Sequence, residues 1–143
     1  MPTFVSYKML MFSKETEYAL RGLVYIQTQN ILGNRPGTDE IAREIEAPRF
    51  YTAKILQRLV RMGFLMSLKG KGGGFFFDKK KPELTIKELI LATEGDKILT
   101  GCGFGLNNCT PDRPCKLHEQ YILIREDIDK LVSSETIQSL AKK

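Results

Sequence analysis

The chain has 143 residues, 42% of them apolar, and a formal net charge of +5. That length and composition suit one compact domain, or one with a small appendage, and exclude a disordered tail. No stretch approaches the ~20 apolar residues of a membrane span, and Met1 to Phe12 lacks a basic region followed by a long apolar run, so a cytoplasmic protein with no membrane partner is expected.

The charge is unevenly spread. Ile41 to Pro82 holds ten basic residues against three acidic ones, a net +7, while the rest of the chain is slightly acidic. A basic stretch of this kind is the footprint of a surface that meets phosphates, or else a solvated lysine-rich face.

In chain order, Ser13 is placed to cap a helix whose first turn carries Glu15 and Glu17, with Ala19, Leu20, Leu23, Val24 and Ile26 as its buried stripe. The turn Gly33-Asn34-Arg35-Pro36-Gly37 ends it. Thr38 is expected to cap a short helix burying Ile41 and Ile45, and Glu46-Ala47-Pro48 to interrupt the chain before a further helix begins near Pro48. That helix buries Ile55, Leu56, Leu59 and Val60 and closes at Gly63 in the C′ position. Phe64–Leu68 and Phe75–Asp78 have strand character around Lys69-Gly70-Lys71-Gly72-Gly73-Gly74 and read as a hairpin with a basic tip. Thr85-Ile86-Lys87-Glu88 is a capping box opening a helix to Thr93, stopped by Gly95. Leu117, Tyr121, Ile124, Ile128 and Leu131 alternate spacings of four and three, the seam of a helix that packs on another helix. Ser133 and Ser134 break it, and Ile137 and Leu140 mark a last short helix.

Two short helices across a tight break, followed by a basic hairpin, make a winged helix-turn-helix. The expected fold is mainly α: a winged helix-turn-helix over residues 11–82 with a two-stranded wing, a connecting helix and cysteine loop over 83–118, and a long C-terminal dimerisation helix with a short terminal helix over 119–143. The glycine-rich tip is not a nucleotide-binding loop, because Gly72 follows Lys71 where Ser or Thr is required and a strand follows where a helix is required. As a wing, the glycines would let backbone approach phosphates while Lys69 and Lys71 supply cations. On the recognition helix the candidate DNA contacts are Arg49, Tyr51, Thr52, Lys54, Gln57 and Arg58, whose side chains suit base edges or phosphate oxygens.

All three cysteines and the single histidine fall together, Cys102, Cys109, Cys115 and His118, spaced C-x6-C-x5-C-x2-H. An odd number of cysteines without an export signal argues for reduced thiols. These four side chains suit a tetrahedral zinc or an iron-sulfur cluster. Gaps of six and five are wider than the usual zinc knuckle and favour the larger inorganic core; Gly101, Gly103 and Gly105 let backbone N–H groups turn toward sulfur, and Pro111 and Pro114 limit collapse of the loop.

The chain resembles the winged-helix iron-sulfur regulators typified by the Isc repressor and the nitric-oxide sensor NsrR. The resemblance runs from about Met11 to the end. It is carried by Glu17-Tyr18-Ala19-Leu20-Arg21, Ile55-Leu56-Gln57-Arg58-Leu59 with Gly63, the wing Gly70-Lys71-Gly72-Gly73-Gly74-Phe75, Leu84-Thr85-Ile86 leading to Glu94-Gly95, and the cysteine loop. It implies a homodimeric transcription factor in which Cys102, Cys109 and Cys115 hold a [2Fe–2S] or [4Fe–4S] cluster. It leaves the fourth ligand between His118, as in the Isc repressor, and Glu17, where NsrR-like members place a carboxylate from the other subunit. The chain departs from the family in a first cysteine gap one residue longer than the commonest, and in Ala53, which stands where the Isc repressor carries a glutamate used in DNA discrimination.

The function expected is a DNA-binding transcriptional regulator, a repressor in its leading form, controlled by an iron-sulfur cluster that responds to redox state, nitric oxide or iron and bound to a palindromic double-stranded operator. The alternative is an iron-sulfur or zinc protein acting in cluster delivery or protein interaction without DNA. An enzyme is not expected, since one histidine and no nucleophile-base pair leave little for general catalysis.

Overall fold

The computed structural model describes residues 12–101 and 112–142; Cys102 and Cys109 lie outside the described residues. Helix α1 (Lys14–Ile31) opens at Ser13, whose hydroxyl accepts the Thr16 N–H, and buries Thr16, Ala19, Gly22, Leu23 and Ile26. Leu20 and Val24, expected in the stripe, are only half-buried at its margins.

Helix α2 (Thr38–Glu44) is capped differently from expectation: Gly37 is the N-cap and Thr38 is the first helical residue, with no side-chain cap bond. It ends in a Schellman arrangement, in which Glu46 N–H bonds Arg43 C=O and Ala47 N–H bonds Ala42 C=O. The residue forced into the left-handed region by that motif is Glu46, φ 56°, where glycine is the usual occupant. Helix α3 (Arg49–Arg61) then starts from Pro48 and ends in a second Schellman motif, Gly63 N–H to Val60 C=O and Phe64 N–H to Leu59 C=O, with Gly63 at φ 84° as expected.

The wing pairs β1 (Met66–Leu68) with β2 (Gly74–Phe76) antiparallel, in register Met66 to Phe76. Both strands are shorter than expected for local reasons. Phe64 is used in the α3 cap and Leu65 drops into the core, while Phe77 bonds the Asn30 side chain rather than β1. Asn30 stands in for a third strand, its amide donating to Phe75 C=O at 3.3 Å and accepting from Phe77 N–H at 2.9 Å. Phe75 N–H bonds Pro36 C=O at 2.9 Å, so the free edge of β2 is pinned to the end of α1 and to the turn after it.

Helix α4 (Ile86–Thr93) opens with the full Thr85–Glu88 capping box and closes at Gly95, φ 83°. Helix α5 (Lys97–Thr100) was not expected from the sequence. It is followed, beyond the loop, by α6 (His118–Ser134) and α7 (Ile137–Ala141). The main core joins Leu23, Ile26, Ile41, Leu56, Leu59, Leu89 and Ile137, so the terminal helix α7 packs into the winged helix against α1. Backbone bonds from Ile86 N–H to Glu135 C=O and from Ile137 N–H to Leu84 C=O stitch it there. A second, smaller core of Ile90, Leu99 and Val132, with Phe12 and Ile128 against it, joins α4, α5 and α6. Lys87 reaches Asp129 at 2.8 Å across the same junction and, by that hydrogen bond, holds the Asp129 carboxyl below the ordinary carboxylate range. Among the described residues no helix is long and apolar enough to cross a membrane.

Candidate DNA-reading surface and the stem of the cysteine loop

The buried face of α3 is Thr52, Ile55, Leu56 and Leu59. At 3.6 residues per turn the opposite face is Phe50, Lys54, Gln57 and Arg61, spaced i, i+4, i+7 and i+11, and all four are exposed. Two of these, Lys54 and Gln57, were expected to face DNA. Phe50 and Arg61 were not among the expected contacts, although the complement of the buried stripe places them on the same face. Lys54 Nζ lies 4.6 Å from the centre of the Phe50 ring, and Gln57 and Arg61 line a groove of about 560 Å3 between α3 and the wing.

The remaining candidates on α3 do other work. Thr52 is a correction: it is 1% exposed, and its hydroxyl donates to Pro48 C=O at 2.9 Å, so it packs as a satisfied core side chain with nothing to offer a nucleic acid. Tyr51 turns toward α1 and packs edge-on against Tyr18, ring centres 5.6 Å apart. Arg58 is ion-paired with Glu15 of α1, and Arg49 with Asp39 of α2. Both members of the Arg49 pair are well exposed, so that pair is worth little and opens readily to a phosphate. Arg58 instead helps fix α3 on α1.

Lys69 and Lys71 are exposed at the wing tip as expected. Its glycines divide into two pairs. A Cβ on Gly73 would lie 2.2 Å from Leu68 O and one on Gly74 would lie 2.2 Å from Arg35 O, so these two are required by the protein's own packing. Gly70 and Gly72 have φ of 89° and 79° with open space where a Cβ would go, and only they leave room for close approach from outside. At the base of the wing Arg35, whose guanidinium sits 3.8 Å from the Phe76 ring centre, adds a cation.

The two ends of the cysteine loop both rest on α6. At one end Gly101 follows α5, its N–H on Lys97 C=O at 2.7 Å. Arg125 of α6 donates to Thr100 C=O at 2.9 Å and Gly101 C=O at 3.0 Å, immediately before Cys102. At the other end His118 N–H bonds Cys115 C=O at 3.1 Å, so half-buried Cys115 and His118 share the turn that opens α6. The rival ligand Glu17 accepts from Arg21 at 2.8 Å on α1. Among the described residues no three metal-binding side chains come together.

A protein-family model described as Rrf2, iron-dependent transcriptional regulator, matches residues 12–143. The chain belongs to the Rrf2 family. It is 27% identical over 132 residues to the HTH-type transcriptional regulator NsrR of Oceanobacillus iheyensis, which spans 90% of this chain and 88% of that one. In fold it matches CymR, the global cysteine regulator of B. subtilis, with a TM-score of 0.74 at 21% identity over 94% of this chain and 98% of that one. It likewise matches T. potens IscR with a TM-score of 0.68 at 15% identity over 95% and 89%. This Rrf2 protein is therefore a DNA-binding winged-helix transcriptional regulator and not an enzyme. That overturns the alternative in which the cysteine loop served a protein that binds no DNA.

Proposed function

We propose that this Rrf2 protein is a cytoplasmic, homodimeric repressor whose hold on a palindromic operator is set by an iron-sulfur cluster on Cys102, Cys109 and Cys115. The fourth ligand is His118 or Glu17 of the partner subunit, with His118 preferred because it shares the opening turn of α6 with Cys115. The donor set of three thiols and an imidazole suits such a cluster. When bound, it would supply an iron centre that reacts with oxidants or nitric oxide and ties the cysteines together.

The observation that carries this reading is that both ends of the loop rest on α6. Arg125 grips the carbonyls before Cys102, and Cys115 leads directly into the helix. On their outer side α6 and its N-cap residue expose Leu117, Ile124 and Leu131, seven residues apart, the repeat by which two copies of a helix pack. A constraint on the cysteines thus bears on the dimer seam, and through it on the separation of the two α3 helices. Half-sites match only one such separation. Lys54, Gln57, Arg61, Lys69 and Lys71, with Arg49 once released by Asp39, form the DNA face; α3 enters the major groove and the wing tip follows the backbone.

Protein purified without oxygen should be coloured and contain iron and sulfide. Its affinity for a selected operator should change at least about tenfold when the metal is removed, and should fall steeply with salt. His118→Ala and Glu17→Ala identify the fourth ligand by which of them alters the spectrum. A colourless protein with stoichiometric zinc would replace the cluster by the second reading, which the C-x2-H pair Cys115 and His118 also suits.

A further inference from the structure

Phe50 is the most exposed of the large apolar side chains among the described residues, at 70%. It is the second residue of α3, at the N-terminal end, the end from which a recognition helix reaches base edges. It shares its face with Lys54, Gln57 and Arg61, opposite the buried stripe, so no rotation of the side chain returns it to the core. The Lys54 ammonium 4.6 Å from the ring centre occupies one side of the ring and leaves the rest to solvent.

An exposed phenyl group within a basic face calls for a partner that is anionic around its edges and apolar at one point. A protein surface that met Phe50 would also have to meet Lys54, Arg61, Lys69 and Lys71. A DNA major groove supplies phosphates for those cations and displays an apolar group of its own only where a pyrimidine carries a 5-methyl. We infer that Phe50 is a specificity-determining residue that packs on the methyl group of a thymine in each half-site. This deepens the proposed function and rests on its placement of α3 in the major groove. It also gives a physical content to Ala53: a methyl side chain there leaves the neighbouring Phe50 as the bulkiest reader at this end of the helix, so sequence preference is expected to be set by shape and methyl contact more than by a carboxylate.

The test is a protein–DNA mutant cycle with the full chain, prepared without oxygen, on the duplex it selects from a random library. Each thymine of a half-site is replaced singly by deoxyuridine, which removes the methyl group alone, and affinities are measured for the wild type, Phe50→Ala and Phe50→Leu. At one thymine the wild type should weaken roughly fourfold per half-site, the weight of one methyl group returned to water. Phe50→Ala should weaken by at least as much on the thymine duplex and then be indifferent to deoxyuridine at that position, with Phe50→Leu between the two. A wild type indifferent to every deoxyuridine, or a Phe50→Ala variant that remains as sensitive as the wild type, overturns the inference. Lys54→Ala and Gln57→Ala are measured beside it. If they weaken binding while the Phe50 cycle is additive, Phe50 loses its role and α3 keeps the groove; if they too are silent, the groove placement falls with it. Because Phe50 is exposed, circular dichroism should be unchanged in both Phe50 variants, and Phe50→Leu keeps the cycle measurable should Phe50→Ala prove unstable.

Discussion

Helices α3 and α6 are both amphipathic, yet they treat their outer faces in opposite ways. In 13 residues α3 buries four side chains and turns outward a mostly basic and polar stripe with a single aromatic. In 17 residues α6 buries only Val132 and leaves Leu123, Ile124 and Leu131 exposed, Leu131 by 61%, with Leu117 exposed at its N-cap. A charged outer face is satisfied by water until phosphates replace it, whereas an apolar outer face is unfavourable in water until another apolar face covers it. The first suits a nucleic-acid partner, and we propose a second copy of the chain for the second.

The largest expected effect comes from reversing that character on α6. Ile124→Asp with Leu131→Asp places two carboxylates on the seam and should convert the proposed dimer to a monomer in sedimentation analysis. Because each half-site would then be bound independently, operator affinity should drop on the order of 100-fold or more. A variant that sediments and binds like the wild type would remove α6 from the interface.

Next in size is the junction between α6 and the cysteine loop. Arg125→Ala releases the carbonyls of Thr100 and Gly101 without touching a proposed ligand. Its cost should be a roughly tenfold faster loss of iron to a chelator, as for other groups that orient ligands from behind, with little change in thermal midpoint. Loss of iron at the wild-type rate would detach α6 from the control of the loop. On the DNA side, Lys69→Ala with Lys71→Ala should weaken binding to all sequences alike and lower the slope of log affinity against log salt by about 1 for each phosphate no longer neutralised. A change in sequence preference with an unchanged slope would mean that the wing reads bases rather than the backbone.

The same contrast explains which features could be read from the sequence. The Ser13 cap, the Thr85–Glu88 capping box, Gly63 and Gly95 were legible because each is a local device whose residues bond within one turn. Thr52 was misread because a hydroxyl suggests an outward position, whereas a threonine that donates to the carbonyl four residues back buries its methyl like a valine. Phe50 and Arg61 share the outward face by helical position, which the chemistry of the individual side chains does not reveal. On α6 a single sequence period covers two apolar faces: Ile128 and Val132 face α4 and α5, while Leu117, Ile124 and Leu131 face outward. Helix α5 was invisible because four residues without a side-chain cap carry no period; Leu99 forms it by joining Ile90 and Val132. The cysteines speak in the sequence only as chemistry, since spacing says which side chains are near in sequence and not how they meet, and Cys102 and Cys109 lie outside the described residues.

The smallest effect concerns the turn that aims α3. Glu46 holds a left-handed backbone at φ 56° between α2 and α3, where an L side chain costs about 1–2 kcal/mol. Glycine removes that strain but loses about 0.5–1 kcal/mol more conformational entropy on folding. The net gain expected for Glu46→Gly is therefore about 0.5 kcal/mol, or roughly 1–3 °C in thermal midpoint for a chain of this size. Glu46→Gln separates backbone from charge, because it keeps the strain and removes the exposed carboxylate three residues before Arg49. If the backbone argument holds, only the glycine variant melts higher, while both bind DNA slightly more tightly at low salt. Equal stabilisation by the two would assign the effect to charge, and the Schellman turn before α3 would then be no more strained with glutamate than with glycine.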